Sequence, residues 1–493
     1  MQIKFLKANR RIRLFLFLVL LGTPNYLFAH HQTENNLHIA YEHYLNFQLD
    51  SCNYYLERSS SSDPFTFYLN ILLTSTKLLI DDNLDHFKEN KFIENDLLDK
   101  LGEYNFTEDY FTFLKSEIKL QWALLKLKNG EELSAFWSLK QAYNLAEKNV
   151  EKYPEFTPSY KTIGLLHVLY GLFPDKYNWI LTLFGITGNV SSGLSELEKV
   201  TNSQQILSLE STLILGLLHA YLLNDPGQAV MKIKPIYDQN EQLLITYMYA
   251  LSLMKNRQSE HALNIITRAQ HRYAQPLALP HLYYVKGEIF LQKGDPGKAI
   301  ENYNIFLNTQ KGKNLIKDTY YKIGICYHIM NKQDESLNYF EKSRLNGWAK
   351  NEADKYAKYA IESGSISDKQ LYQLRYATDG GYYKTAFIIY QGIDTLKLND
   401  HDRCEYYYRS ARMFHASGNI QSAITNYQKT IKLQRDNNWY FAPNSALQLG
   451  IIYSSENERE LANKYLQVVN NYKEYPYENS IRQKTKVALK EVD

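Results

Sequence analysis

Through the C-terminal half of the chain, apolar and polar positions follow a helical period, and the pattern itself recurs. A small residue is followed three positions later by a large one. A glycine or polar turn comes next, and then a second small residue about twelve positions after the first. The clearest copy, 280–313, carries Tyr283, Gly287, Phe290, Gly294, Ala299 and Tyr303. The copy at 317–350 has Tyr320, Ile323, Gly324, Tyr327 and Phe340, with Asn331 at the turn and Ser336 in the second small position. Residues 404–437 (Tyr407, Ala411, Phe414, Gly418, Ala423, Tyr427) and 443–476 (Leu449, Gly450, Tyr453, Ala462, Leu466) repeat it. Weaker copies lie upstream at 243–276 (Tyr249, Ala250, Leu253, Ala262, Ala269) and 209–242 (Leu215, Gly216, Ala229). The first small residues, 216, 250, 287 and 324, are spaced 34, 37 and 37 apart. Small residues let two antiparallel helices approach closely, and large ones fill the hole between successive pairs.

This pattern closely resembles the tetratricopeptide repeat (TPR). The resemblance implies an all-α, TPR-like α-solenoid, a right-handed superhelix of antiparallel helix pairs. Between 351 and 400 the pattern fades, but Lys355-Tyr-Ala-Lys-Tyr-Ala and Tyr382-Tyr-Lys-Thr-Ala-Phe still read as helices, hence degenerate repeats and not a linker. Residues 34–150 read as helical pairs, with Ala123, Gly130 and Ala135 forming one imperfect repeat and Ser59 to Asp63 a loop before Pro64. The expected division is 1–29 leader, 30–208 N-terminal helical region, 209–350 array, 351–403 degenerate repeats, and 404–493 C-terminal repeats with a capping helix.

Residues 160–199 depart from the plain repeat. An apolar helix ends at Leu172-Phe173-Pro174, a second ends in Gly185-Ile-Thr-Gly188-Asn189, and Gly193-Leu194 opens an acidic helix. This order resembles the signature of the tetratricopeptide repeat protein 39 group and the fungal inclusion-body clearance proteins. That resemblance implies repeats toward the C-terminus and no catalytic residues. The group is associated with clearance of protein inclusions and with mitochondrial or lipid-droplet roles, a setting that an exported chain does not share. Read from the residues alone, the segment is two buried helices joined at Pro174 and Asp175. The alternative is a hairpin over 163–186 dipping into a membrane surface, with Tyr177 and Trp179 at the interface.

The first residues change the picture of where the protein works. Lys4, Lys7, Arg10, Arg11 and Arg13 precede the apolar run Leu14 to Leu21, which breaks at Gly22-Thr23-Pro24. That is the order of a secretory signal, with cleavage expected after Ala29. An apolar run of about eight residues falls well short of the roughly 20 needed to span a bilayer. No cysteine lies just after the run, so a lipid-anchored form is not expected. The localisation expected is periplasmic or cell-envelope associated. Net charge is +3, but removing five leader basics leaves 51 basic against 53 acidic residues, about −2. A chain this near neutrality has no global electrostatic reason to bind nucleic acid. Only 22 glycines and 12 prolines argue against an all-β fold of this length. Three scattered cysteines, Cys52, Cys326 and Cys404, form no disulfide framework and read as buried thiols.

Candidate chemistry is sparse. His30, His31, His38 and His43 cluster near the mature start, but no paired acid or cysteine completes a metal site, and they read as a solvated tail. No phosphate-binding Gly-Lys loop, nucleophile elbow or His-Glu-x-x-His helix occurs. No cofactor, metal or catalytic residue is therefore expected. A glycoside hydrolase is an arrangement that motifs do not address, since its two acids need not be close in sequence. Carrying over TPR geometry, in which the first helix of each pair lines a concave face, the partner-binding wall would include Tyr284, Glu288, Tyr321, His328, Tyr408, Arg412 and His415. Tyrosines interspersed with charges suit extended peptides. The expected function is a scaffold binding protein or peptide partners of the envelope, and the alternative is a carbohydrate- or lipid-binding component of nutrient uptake. N-terminal sequencing of the processed protein should read from His30; an intact Met1 in the exported fraction would rule out cleavage.

Overall fold

The computed structural model describes residues 32–81, 83–172, 185–203, 207–223, 225–275, 277–364, 366–434 and 437–492. The leader, His30, His31 and the centre of the 160–199 segment, with Tyr177 and Trp179, lie outside them. Among the described residues there are α-helices and one 3-10 turn and no strand. None of the described helices is long and apolar enough to cross a membrane.

The chain divides into two units, 1–252 with 269–279 and 253–268 with 280–493. Unit 1 begins with α1 (Gln32–Leu45), α2 (Leu49–Leu56), α3 (Pro64–Asp81), α4 (Leu84–Glu89) and α5 (Ile93–Gly102). It continues with α6 (Glu108–Asn129), α7 (Glu132–Lys152), α8 (Pro158–Gly171), α9 (Val190–Thr201), α10 (Leu207–Tyr221) and α11 (Pro226–Gln239). The unit boundary falls within α12 (Leu243–Lys255) and α13 (Ser259–Arg272). Unit 2 contains α14 (His281–Lys293), α15 (Pro296–Thr309), α16 (Ile316–Ile329), α17 (Gln333–Leu345), α18 (Glu352–Glu362), α19 (Lys369–Gly380) and α20 (Tyr383–Gly392). It ends with α21 (Asp400–Ala416), α22 (Ile420–Gln434), α23 (Phe441–Ser455), α24 (Arg459–Val468) and α25 (Glu478–Val492). The array is thus the expected all-α TPR-like solenoid, built pair by pair.

Local chemistry sets the helix ends. Asp225-Pro226-Gly227 and Asp295-Pro296-Gly297 open α11 and α15 in the same way. Each aspartate caps its helix by accepting from the backbone N–H three residues on, at 3.1 and 3.0 Å, and each proline occupies a first-turn position where no N–H is missed. Gly294 (φ 85°) and Gly418 (φ 84°) take the left-handed conformation at the turns of their pairs. The helical reading of 34–150 holds from its start, and His38 and His43, read as part of a solvated tail, stand on a helix instead. Leu37, Ala40, Tyr41, Tyr44 and Leu45 are buried at helical spacing and draw α1 onto unit 1, leaving His38 and His43 beside Glu42 and Gln48.

Packing within pairs follows the small-to-large rule. A Cβ on Gly287 would stand 2.6 Å from the Tyr303 ring, and one on Gly324 2.6 Å from the Phe340 ring, so each glycine is the socket for an aromatic of its partner helix. Ser336, in place of the usual alanine, is buried and returns its hydroxyl to the Gly324 carbonyl at 2.9 Å. The glycines of the 160–199 segment make an even closer crossing. Gly164 on α8 and Gly193 on α9 face one another so tightly that a Cβ on Gly193 would lie 2.5 Å from the Gly164 carbonyl oxygen. Ile163, Leu165, Leu166, Val168 and Leu169 are buried, which commits this half of the 163–186 segment to the unit 1 core and not to a membrane surface. Cys52, Cys326 and Cys404 are all buried, and burial pushes the Cys52 and Cys404 thiols up to about 12.

Unit 1 also encloses a charged centre. Lys161 on α8 reaches Glu117 on α6 at 2.8 Å, Glu210 on α10 at 2.7 Å and the Tyr68 hydroxyl on α3 at 2.6 Å, while Thr162 donates to Glu117. Tyr68 donates to Glu210, whose other oxygen is buried without a partner. One ammonium cannot neutralise two buried carboxylates, so a proton is required. Desolvation pushes Glu210 to about 7 against the opposing pull of Lys161. Between its ordinary value of 4.5 and about 7 the folded state holds this proton more tightly than the unfolded state. Stability from this group is therefore full at low pH and is lost as pH rises through that window, by on the order of 3 kcal/mol. Glu210→Gln should leave the melting temperature little changed near pH 5 and raise it at pH 8; an equal shift at both values would show that no proton is held there.

Candidate functional site

The seven residues expected on a concave wall do not share one fate. Tyr284, Glu288, Tyr321 and His328 lie on α14 and α16, and α19 packs against both of these helices. The Tyr321 and Tyr372 hydroxyls meet at 3.0 Å, and His328 Nε2 reaches the Ser367 carbonyl at 3.2 Å. Tyr284 donates to Asp318 at 2.6 Å, and Lys322 pairs with Glu288 at 2.5 Å and with Asp318 at 3.0 Å. Burial pushes Lys322 down, but Asp318 and Glu288 outweigh it and hold the ammonium charged. This part of the wall is occupied by the chain's own helix. Tyr321 is 2% exposed, and the reading of it as an accessible binding residue is corrected accordingly.

Tyr408 is corrected in the same way. It is 0% exposed, set against Tyr440 (centroids 5.7 Å apart) and Phe441 (5.4 Å), and its hydroxyl accepts from Asn444 at 2.5 Å. Tyrosine at that register is core because the next pair, α23 onward, covers it.

Arg412 and His415 remain, and the fold adds residues that sequence position did not suggest. Arg412 Nη2 pairs with Asp379 Oδ1 at 2.8 Å, and Arg375 Nε lies 3.9 Å from Asp379 Oδ2. Their side chains are 26%, 27% and 21% exposed for Arg412, Asp379 and Arg375, so this face is shielded yet open to solvent. Arg375 rests between the Tyr356 and Tyr376 rings, 5.5 Å from each centroid. Arg257 arrives from the turn before α13. It has φ 56°, and its carbonyl lies directly under Gly381, where any side chain would collide. Burial pushes the Asp379 carboxyl up, but Arg412, Arg375, Arg409 and Arg257 together outweigh it and hold it below its ordinary value. Burial, then Arg257 and Arg412, hold His415 below the usual histidine range, so it is neutral at pH 7.

Beside this face lies a group with metal-ligand chemistry, His401, Asp402 and Glu405, whose ligand atoms fall within 4.8 Å of one another. Its acceptors are already engaged by protein donors. Glu405 accepts from Arg409 at 2.8 and 2.6 Å and from Ser367, and Asp402 accepts from the Asp368 backbone N–H at 3.2 Å and from Asn399 Nδ2 at 3.4 Å. The cluster anchors the start of α19 to α21.

The consequence for the two corrected tyrosines is measurable. Tyr321→Ala and Tyr408→Ala should each cost about 3–5 kcal/mol, the range for emptying a large buried aromatic site, whereas Arg412→Gln should shift the urea midpoint far less. Equal midpoints for all three would return the tyrosines to the surface.

Comparison with known proteins bears on this architecture. A search of curated proteins returned no match. Among solved structures, aspartyl phosphate phosphatase F from Bacillus subtilis is 12% identical, covering 84% of this chain and 97% of that one at a TM-score of 0.32. The human IFIT1 dimer with m7Gppp-AAAA is 16% identical, covering 98% and 95% at a TM-score of 0.26. The P58(IPK) TPR domain is 14% identical, covering 76% and 98% at 0.21. A tetratricopeptide repeat model matches residues 405–437, which are α21 and α22. A second model, Iml2/Tetratricopeptide repeat protein 39, matches residues 103–353, from the end of α5 to the start of α18 and including the Gly164–Gly193 crossing. That match takes in 251 of 493 residues, and the chain belongs to the Iml2/Tetratricopeptide repeat protein 39 family.

Proposed function

We propose that the protein is an exported, non-enzymatic scaffold of the cell envelope that binds partner proteins at the arginine and tyrosine face of unit 2. Membership of a tetratricopeptide repeat family supports the interaction role, and the basic, apolar and small-residue order of the first 29 residues supports export. The observation that carries the choice of face is the position of α19. It fills the wall formed by α14 and α16, where Tyr321 and Tyr372 are joined, and leaves Arg375, Asp379 and Arg412 a fifth to a quarter exposed. Side chains that a partner can reach, and that are held rigid by their neighbours, are what a binding face requires.

The test is an affinity capture from envelope extract with the full chain and with an Arg412→Gln, His415→Ala double variant of matched unfolding midpoint. A protein retained by the first and lost from the second supports the reading. Retention of glycan or lipid in its place sinks the scaffold and puts the nutrient-binding alternative forward. A partner retained equally by both chains moves the binding face elsewhere.

A further inference from the structure

Three helices of unit 1 end at one cavity. Glu42 stands in the last turn of α1, Asp238 and Gln239 close α11, and Arg272 closes α13, with Tyr273 following it. Glu241 and Gln242, just ahead of α12, complete the wall, and all of these residues belong to unit 1. The cavity measures about 460 Å³, the size of sites that hold small organic molecules, but Tyr273 supplies the one ring in a wall otherwise made of charged and amide side chains. A helix C-terminus carries the negative end of its dipole and carbonyls without intrahelical partners. Three such ends meet here against one N-terminus, that of α12, which Asn46 Oδ1 already serves by accepting from the Leu243 N–H at 3.2 Å.

The side chains add to that field. The wall holds three carboxylates, Glu42, Asp238 and Glu241, and one cation, Arg272. Arg272 pairs with Glu241 at 3.1 Å, and Lys234 reaches Asp238 across one helical turn. Among the described residues the Glu42 carboxylate has only the His38 ring, at 3.7 Å. Burial pushes the Tyr273 hydroxyl up; Arg272 opposes this, and Glu241 and Glu42 add to it, so both carboxylates act on the ring that lines the cavity. A second observation is independent of charge. Gln242 is 9% exposed, and its side-chain oxygen has no hydrogen-bond partner among the described residues. A buried acceptor without a donor is costly, and a ligand that brings N–H groups satisfies it.

We propose that this cavity binds a primary ammonium group, with Glu42 as its counter-charge and the Gln242 oxygen and the helix-end carbonyls as further acceptors. An ammonium offers three donors and no acceptor, which is what a wall rich in acceptors requires. A metal ion fits less well, because it needs several ligand atoms within reach of one point. Among the described residues, the three His, Cys, Asp or Glu side chains whose ligand atoms lie within 4.8 Å of one another are His401, Asp402 and Glu405. The carboxylates of the cavity are spread more widely than that, a spacing that suits a diamine or a lysine side chain, and they repel anions. The site shares no residue with the unit 2 face proposed for protein partners.

Isothermal titration calorimetry of the full chain with putrescine, a linear diamine, tests this. Butanediol, of the same length without charge, calcium chloride and a lysine tripeptide are the comparison probes. Putrescine should bind and weaken with added salt, and butanediol and calcium should not bind. Glu42→Gln should weaken putrescine about tenfold, the loss of one hydrogen bond to a charged group. Arg272→Gln should tighten it by removing the one cation on the wall. These two side chains are 45% and 57% exposed, so neither change threatens the fold, and a merely structural role would not produce opposite signs. A lysine tripeptide that binds where putrescine does not would assign the ammonium to a peptide side chain and keep the site. The proposal is overturned if butanediol binds as well as putrescine, if calcium binds and neither amine does, if no probe binds, or if the two variants shift affinity the same way.

Discussion

The close approach of paired helices at small residues is the constraint on which the rest depends. Gly287 receives the Tyr303 ring and Gly324 the Phe340 ring, and in the central segment Gly164 and Gly193 bring two backbones into contact. At such distances the partner helix has one position available, since a shift of a single residue would drive an aromatic ring into a Cβ. Each pair is therefore fixed before it meets the next. The remaining large side chains of the first helices, Tyr321 and Tyr408 among them, have to be covered by something. In an ordinary array the following pair covers part of them and solvent or a partner the rest.

What covers them here decides where a partner can bind. Helix α18 packs on the α16 and α17 pair, and the next helix, α19, packs against α14 and α16. The self-occupied wall is tied down by polar contacts, Tyr321 to Tyr372, His328 to Ser367, and Glu405 to Ser367. A surface that serves as a binding groove when repeats run evenly has become interior in this chain. The residues left over at its border are the arginines around Asp379, held in register by the Gly381 contact with Arg257 and by the tyrosines beneath Arg375.

Both units bury charge, and both do so across helices distant in sequence. The Lys161, Glu117 and Glu210 group joins three helices of unit 1 and gains a fourth through Tyr68, while Lys322, Glu288 and Asp318 join α14 to α16 in unit 2. Such groups contribute little net stability over apolar replacements, but a wrong register would leave them unpaired in a low dielectric at a large cost. That matters in a repeat array, where neighbouring pairs resemble one another and mispairing is the characteristic failure.

The sequence by itself determined the class of structure and most of the pairs. Gly287, Ala299 and Tyr303, or Gly450, Ala462 and Leu466, are local matters of helix period and turn chemistry, and they lie within one repeat of each other. The Gly164 and Gly193 region was legible for the same reason, as a short segment whose order points to its family. The proposed binding face was not legible. Arg375 and Asp379, four positions apart on a helix, read as an ordinary surface pair, and Arg257 as a charged turn residue; nothing local sets them beside Arg412. Tyr321 and Tyr408 occupied the registers of a concave wall, and only the placement of α19 and α23 turned them inward. Which surface of a repeat stays open depends on contacts between elements fifty or more residues apart, such as Tyr321 with Tyr372, 51 positions on. A period of one helix pair carries no information at that range, and tertiary packing alone supplied it.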